Sequence, residues 1–494
     1  MPTWLILIAF LSFTIALFVV SYFTSKKAKT DTFFVGERKM PWPLVAYGMI
    51  GASLSGVTFI SIPGDVYNSH MSYLMVVFGN MIGYLVIAYV LLPIYYKMHV
   101  TTIYTYLQQR YGNISYRTGS TFFIISKLLG AGGRLYLVAF VLHTFIFKEW
   151  NMPFVLTAVV FIGLIMFYTY RGGIKTVIWT DTLQTTFMIL SLILCFVFIA
   201  KLLNISFGGL LKQVFDHPYS ELIITDVGSR YYFMKQFFSG IFITIAMNGL
   251  DQDMMQKNLS CRNLKSAQKN IISMSLTMIP VVALFLILGV ALYIMAESQG
   301  IPIPASTDQL FPEIMLHHLG PVAGIVFLIG LISAAYSSGD GALTALTTSF
   351  CVDFLGFEGK RANLPESAKK KLRTKVHFSF AFIMILLMLA FKALNNQSII
   401  TTIFDIAGYT YGPLLGLFAF GLCSRSKLRD KYVPVVAILA PVITYIVCYI
   451  SPRYWNYSFG FEKILLNGAL TVIGLICIID RSSTQSSSMS PDSL

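Results

Sequence analysis

Charge is scarce in this sequence. Only 12% of its 494 residues are Asp, Glu, Lys or Arg, about half of the roughly 25% usual in soluble chains. That shortage excludes an ordinary water-soluble domain. Acidic residues are the scarcer sign, 22 against 36 Lys and Arg. Cysteine is sparse too: six residues, at 195, 261, 351, 423, 448 and 477, with no pair at metal-binding or redox spacing. Zinc ribbons, redox pairs and disulfide scaffolds are therefore excluded, and apolar packing is the use left to most of them. No phosphate-binding GxxxxGK[ST] loop is present, so a directly ATP-driven pump is unsupported. The pair His317-His318, with Glu313 nearby, lacks helical metal spacing. No nucleophile, metal set or acid–base pair stands in catalytic company, so an enzyme is not indicated.

What fills the chain instead is apolar residues, 56% of it. Runs such as Trp4–Phe23, Met75–Tyr95, Thr176–Ala200, Ile271–Leu292 and Tyr432–Ile450 are each long enough to cross a hydrocarbon core of ~30 Å as a helix. The fold class is an all-α membrane protein with about thirteen transmembrane helices. The surplus of +14 charges gathers in alternate loops, for example Lys26-Lys27-Lys29, Arg38-Lys39 and Lys360–Lys375. By the positive-inside rule this expects an N-terminus outside and a C-terminus in the cytoplasm, in a multi-pass plasma (inner) membrane protein. The basic charge is thus an orientation signal with some attraction to anionic lipid, not a nucleic-acid surface. A single transmembrane domain is expected over 1–482, with a short polar cytoplasmic tail at 483–494 expected to be disordered.

Two segments interrupt the apolar pattern. One is "GASLSGVTFISIPGD", residues 51–65, and the other is "IAMNGLDQDMMQK", residues 245–257. Paired interruptions in corresponding positions of two halves point to an inverted-repeat transporter with its site near the midplane. Unwound "GASLSG" would free carbonyls that, with hydroxyls, suit a hard, weakly held cation. The same small residues would equally serve close helix packing. A second hydroxyl-rich stretch is "SAAYSSGDGALTALTTSF", residues 333–350, where Ser337, Asp340 or Gly341, and Thr344 fall along one helix face. Asp340 lies well inside a span, which marks function, or else a packing face or a wetted end. In "YTYRGGIKTVIWTD" Asp181 enters a helix about one turn deep, and Arg134 lies mid-span in "LLGAGGRLYLVAF". A guanidinium there either clamps a substrate carboxylate or pairs with a buried acid.

Three of these pieces in order resemble the sodium:solute symporter family: "YTYRGGIKTVIWTD", the small-Ala-Ala-x-Ser-Ser pattern at 333–338, and "NGLDQDMMQKNLSCRN". The resemblance covers about residues 1–480 and implies a LeuT-type fold. A leading helix at 3–23 would precede two five-helix inverted repeats, at 42–201 and 234–422, and two trailing helices at 432–480. It also implies a main sodium site made of the carbonyls of Gly51, Leu54 and Ala334 and the hydroxyls of Ser337 and Ser338. Members similar to the sodium/sialic acid symporters have a further sodium site, with an aspartate matching Asp181 and hydroxyls one turn beyond the serine pair. Here those hydroxyl positions read Asp340 and Gly341. Two carboxylates at one site would hold a monovalent cation more tightly, or one would take a proton, so Asp181 and Asp340 are expected to form a second cation site.

The same branch of the family implies a substrate pocket. Arg134 matches the arginine that holds the substrate carboxylate, and Ser53, Ser55, Thr58 and Tyr73 match or approximate other pocket positions. Asn80 stands in for a glutamine of the next helix, after a two-residue shift. Met247 replaces the tyrosine inner gate of glucose-type members, so that gate does not carry over. The implied activity is Na+-coupled secondary symport of a small organic anion, a sialic-acid-like sugar acid or a monocarboxylate, by alternating access. The alternatives are a neutral sugar symporter, and a sodium-sensing or channel-like protein on the same fold. The implied partners are solute, sodium and membrane lipid, with no nucleic acid and a monomer as the expected state.

Overall fold

The computed structural model describes residues 3–26, 30–145, 147–394, 399–455 and 457–480. The expected tail at 483–494, and Lys27 and Lys29 of the first basic cluster, lie outside the described residues. In the described part every regular element is a helix, and the only β pairings are isolated bridges, Met40 with Cys261 and Leu428 with Ile479. This is what a chain must do where no water competes for its backbone groups: each N–H and C=O is satisfied within its own segment.

The chain begins with α1 (Thr3–Ser25) and then α2 (Trp42–Ser53), which starts behind Pro41 and stops at Leu54. After two non-helical residues the same run resumes as α3 (Gly56–Ser69), followed by α4 (Tyr73–Val86), α5 (Asn113–Phe145), α6 (Phe154–Thr169) and α7 (Ile174–Leu202). A second broken run follows: α8 (Phe233–Thr244), a π turn over Ile245–Gly249, and α9 (Gln252–Leu259). The long α10 (Leu264–Gln299), α11 (Pro321–Ser349) and α12 (Glu366–Leu394) come next. The expected span at 399–422 is also divided, at Tyr411, into α13 (Ile399–Thr410) and α14 (Gly412–Cys423), a break not foreseen from the sequence. The chain closes with α15 (Val433–Tyr454) and α16 (Lys463–Cys477).

Eight helical stretches of the described residues are long and apolar enough to cross a membrane, and three shorter apolar helices, α6, α14 and α16, accompany them. Burial sorts them. In α11 every residue from Gly330 to Ser349 is buried, and the helix packs against α2, α3, α5, α6, α7 and α12. At the other extreme, α15 turns Val435, Ile438, Leu439, Val442 and Ile446 outward, a stripe suited to lipid. Near-uniform burial explains why α11 can carry serines, threonines and an aspartate: its surroundings are protein, not hydrocarbon.

Close backbone approach holds the two broken runs to their neighbours. Helices α4 and α8 cross at Gly79 and Gly240. A Cβ on Gly79 would lie 2.0 Å from the Phe237 carbonyl oxygen, and one on Gly240 would lie 2.2 Å from that of Val76. Small residues at such crossings exchange side-chain volume for backbone contact. Gly79→Ala and Gly240→Ala should each destabilise the protein by about 1–3 kcal/mol through overpacking, read as a lower thermal unfolding midpoint in detergent. Gly163→Ala, where nothing lies within 4 Å, should leave the midpoint unchanged or raise it.

Candidate functional site

At the first break the backbone leaves the helical region at Leu54 (φ −94°, ψ 89°) and is extended at Ser55 (φ −74°, ψ 171°). The last bond of α2 is Leu54 N–H to the Ile50 carbonyl, 3.0 Å, and the first of α3 is Phe59 N–H to the Ser55 carbonyl, 3.0 Å. The carbonyls of Gly51 and Leu54 therefore pair with no backbone N–H. Left so in a dry interior, each would cost about 2–7 kcal/mol. Carbonyl oxygens freed in this way are of the type that hard cations take as ligands.

The half-site on α11 is brought to this break by two contacts. The broken run lies on α7: Gly51 N–H donates to Thr185 Oγ1 at 3.1 Å, and a Cβ on Gly48 would sit 3.0 Å from Asp181 Cβ. Asp181 Oδ1 in turn accepts from the Ser337 hydroxyl of α11. Just past the break, a Cβ on Gly56 would lie 3.5 Å from Ala335 Cβ. Thus Asp181 links the α7 face packed on Gly48 and Gly51 to Ser337 of α11, and Gly51, Leu54, Ala334, Ser337 and Ser338 are all buried. The Ser338 hydroxyl donates to the Ala335 carbonyl at 3.0 Å, which leaves its lone pairs for a cation. Asp181 lies two turns into α7, deeper than the one turn expected.

Beside the break is a cavity of about 130 Å³. Ser53, Ser55, Thr58, Tyr73, Asn80 and Arg134 all line it, which brings every sequence-inferred pocket residue to one space. Among the described residues no carboxylate lies within 4 Å of the Arg134 guanidinium, so it faces the cavity without an ion-pair partner. The Asn80 amide nitrogen, oriented to satisfy its neighbours, donates to Gly240 O and Thr244 Oγ1 at 2.9 Å each. The pocket wall is thereby tied to the α4–α8 crossing. Lining residues not inferred as ligands of the pocket include Lys127, Asp251, Asp253 and Tyr411.

Those four belong to a buried charge network. Asp251 occupies the second break as the N-cap of α9, accepting from Asp253 N–H at 2.9 Å. It also accepts from Tyr411 Oη at 2.6 Å and Lys127 Nζ at 3.1 Å. Lys127 Nζ reaches Asp253 Oδ2 at 2.9 Å, and Lys257 Nζ lies 3.3 Å from Asp253 Oδ1 and 3.0 Å from Asp181 Oδ2. Asp340 stands close by, accepting from Tyr168 Oη at 2.9 Å and Thr180 Oγ1 at 3.3 Å. Of the two carboxylates expected to share a mobile cation, Asp181 therefore has a fixed one 3.0 Å away. Signals for Lys127 and Lys257 were present: Lys127 lies seven residues before Arg134 on one helix face, and Asp253 and Lys257 have i, i+4 spacing. Neither spacing reveals which distant carboxylate is met.

With the site described, comparison with known proteins adds the family. A family model described as the sodium:solute symporter family matches residues 33–427. The chain belongs to that family. Similar relatives include the sodium-dependent multivitamin transporter of Oryctolagus cuniculus, 26% identical over 406 residues that cover 78% of this chain. The chain spans only 61% of that transporter's length. The sodium/sialic acid symporter NanT of Aliivibrio fischeri is 25% identical over 85% of this chain and 83% of its own. A solved structure of a Na+-coupled sialic acid symporter, substrate-bound and outward-open, superposes with a TM-score of 0.81 over 96% of this chain and 99% of its own, at 20% identity. At that identity the likeness speaks for the fold. This family member is accordingly an integral, multi-pass membrane protein.

The contact between the broken run and α7 gives a test of the first half-site. A Cβ on Gly51 would meet Thr185 Oγ1 at 2.2 Å. Gly51→Ala should therefore destabilise the protein by about 1–3 kcal/mol. Adding Thr185→Ala should restore part of that loss, appearing as non-additivity in a double-mutant cycle of thermal midpoints.

Proposed function

We propose that the protein is a sodium-coupled secondary symporter that carries a small organic anion inward, a sugar acid in preference to a simple monocarboxylate. The observation that carries the substrate class is the Arg134 guanidinium, which lines the cavity with no carboxylate partner among the described residues. A bound carboxylate would complete it bidentately. The N-terminus of α3 opens on the same cavity through Ser55, Val57 and Thr58, and its free N–H groups favour negative charge. Hydroxyls and amides on the lining, from Ser53, Thr58, Asn80 and Asn248, suit the polyol part of a sugar acid. The sialic acid symporters among the relatives are consistent with this chemistry.

Sodium would be held by the carbonyls of Gly51, Leu54 and Ala334 and the hydroxyls of Ser337 and Ser338. It would tie the α2–α3 break to α11 and favour the state whose cavity opens outside. Rocking of one helix bundle against the other would then expose both ligands to the cytoplasm, where low sodium permits release. The membrane potential adds ~2.3 kcal/mol per charge per 100 mV to the gradient. The architecture that fits is thirteen spans: a leading helix at 3–23, inverted five-helix repeats at 42–201 and 234–422, and trailing helices at 432–480. In this reading the N-terminus is outside, the C-terminus is in the cytoplasm, the membrane is the plasma (inner) membrane, and the unit is a monomer in lipid.

Ser338→Ala removes one sodium ligand and should raise the half-saturating sodium concentration of uptake about tenfold, equivalent to ~1.4 kcal/mol. Unchanged sodium dependence would remove Ser338 from the site. Thermal stabilisation of the purified protein by neutral sugars, sugar acids and monocarboxylates, each with and without sodium, tests the substrate class. Sugar acids should stabilise only in sodium. Arg134→Ala should weaken that effect at least 30-fold in concentration, matching the ~2–5 kcal/mol cost of truncating one partner of a buried charge pair. Equal stabilisation of both proteins by neutral sugars, with none from acids, would overturn the anion reading.

A further inference from the structure

The sodium reading accounts for the serine pair and the carbonyls of the first break, but not for Lys257. This side chain is wholly buried, 0% exposed, at the centre of the helix packing. Its ammonium lies 3.0 Å from Asp181 Oδ2 and 3.3 Å from Asp253 Oδ1, with Asp340 within electrostatic reach. One Asp340 oxygen, Oδ1, and the Thr344 hydroxyl one turn further along α11 have no hydrogen-bond partner although both are buried. The space that admits this arrangement is made by Gly341. A Cβ there would lie 2.5 Å from Asp253 Oδ1 and 2.8 Å from its Oδ2. A side chain at position 341 would push the Asp253 carboxylate away from α11.

We propose that the Lys257 ammonium is a built-in cation that occupies the position a second coupling sodium would take between Asp181, Asp253 and Asp340. An ammonium is monovalent and compact, so at ion-pair distance it neutralises Asp181 and Asp253 as a bound sodium would. It is tethered to α9 by its own chain and does not leave during transport. A free cation at Asp181 would stand against the fixed positive charge in a low-dielectric interior, where like charges repel strongly. The coupling ion is then the one at the Gly51–Ser338 site alone, and Asp181 orients Ser337 of that site without binding a sodium itself. The inference rests on the sodium-symport reading for its meaning, while its test does not.

The experiment is equilibrium binding of 22Na+ to the purified full chain in detergent, counted as saturable sites per chain. Lys257→Met should bind one sodium more than the wild type, and Lys257→Arg should bind the same number as the wild type. A Lys257→Met protein that elutes as a single folded species with no additional site overturns the proposal. So does a wild type that already binds two sodium ions and loses one with Asp181→Asn. If Lys257→Met does not fold, the variant Lys257→Met/Asp253→Asn, which removes one charge of each sign, replaces it with the same expected gain and the same overturning result. No saturable site in the wild type would instead sink the symport reading, and the gain of a site on removing Lys257 would still decide this one.

Discussion

A helix inside a membrane keeps its backbone hydrogen-bonded because nothing else there will pair with it. This chain breaks that rule at Leu54-Ser55 and at Leu250-Asp251, and again beside Tyr411, where Pro413 has no N–H to donate, and the arrangement of the site follows from how the exposed groups are handled. At the first break the Gly51 and Leu54 carbonyls are left without backbone partners. At the second, the Asp251 carboxylate caps α9 and takes up its first free N–H groups. At the third, the Gly408 and Tyr409 carbonyls accept from Asn467 Nδ2 at 3.0 and 2.9 Å, and the Tyr411 phenol donates to Asp251, 2.6 Å away. The breaks leave open carbonyls on one side of the cavity and a satisfied carboxylate on the other.

Buried charge is the second cost, and it is met by connection. Isolated ions in such an interior would be strongly unfavourable, and truncating one partner of a buried pair is more damaging than replacing both. Here Lys127 and Lys257 share Asp253, Lys127 also holds Asp251, and Lys257 also holds Asp181. Asp181 passes the connection to Ser337. A chain of polar and ion-pair contacts therefore runs from the solute cavity on α5 and α9, through α7, to Ser337 of α11. Its carriers stand on helices that also line the cavity or the break. A displacement of any one of them alters the others, which is the physical basis on which ion and solute can be felt together.

The parts legible in the sequence are those whose signal is local. Glycine and serine crowded at 51–56, hydroxyls at helical spacing through 333–348, and an arginine inside an apolar run each contradict their surroundings within a few residues. Composition and run length sufficed for the helical membrane class. The Asp251 region was legible as a break but not as a charged wall, because its partners Lys127 and Tyr411 lie on other helices. The division of the run at 399–422 has a local signal in Gly412-Pro413, a helix-breaking pair set inside the expected span. Asp181 was legible as a carboxylate inside the helix packing, whereas the Lys257 ammonium 3.0 Å from it was not.

Taken alone, then, the sequence determined the membrane class, the two principal interruptions, the serine pair and the lone arginine, since periodicity and polarity are properties of short stretches. Tertiary structure decided which charges meet. Lys127 and Asp251 are 124 residues apart, and Asp181 and Ser337 are 156 apart. No local spacing encodes distances of that kind. They depend on where α5, α7, α9 and α11 dock, and on glycines such as Gly341 that let a carboxylate come within reach of a neighbouring backbone. Whether Asp181 faces a vacant site or a lysine is set by that docking, because an ion pair exists only where packing brings both members into the same dry volume.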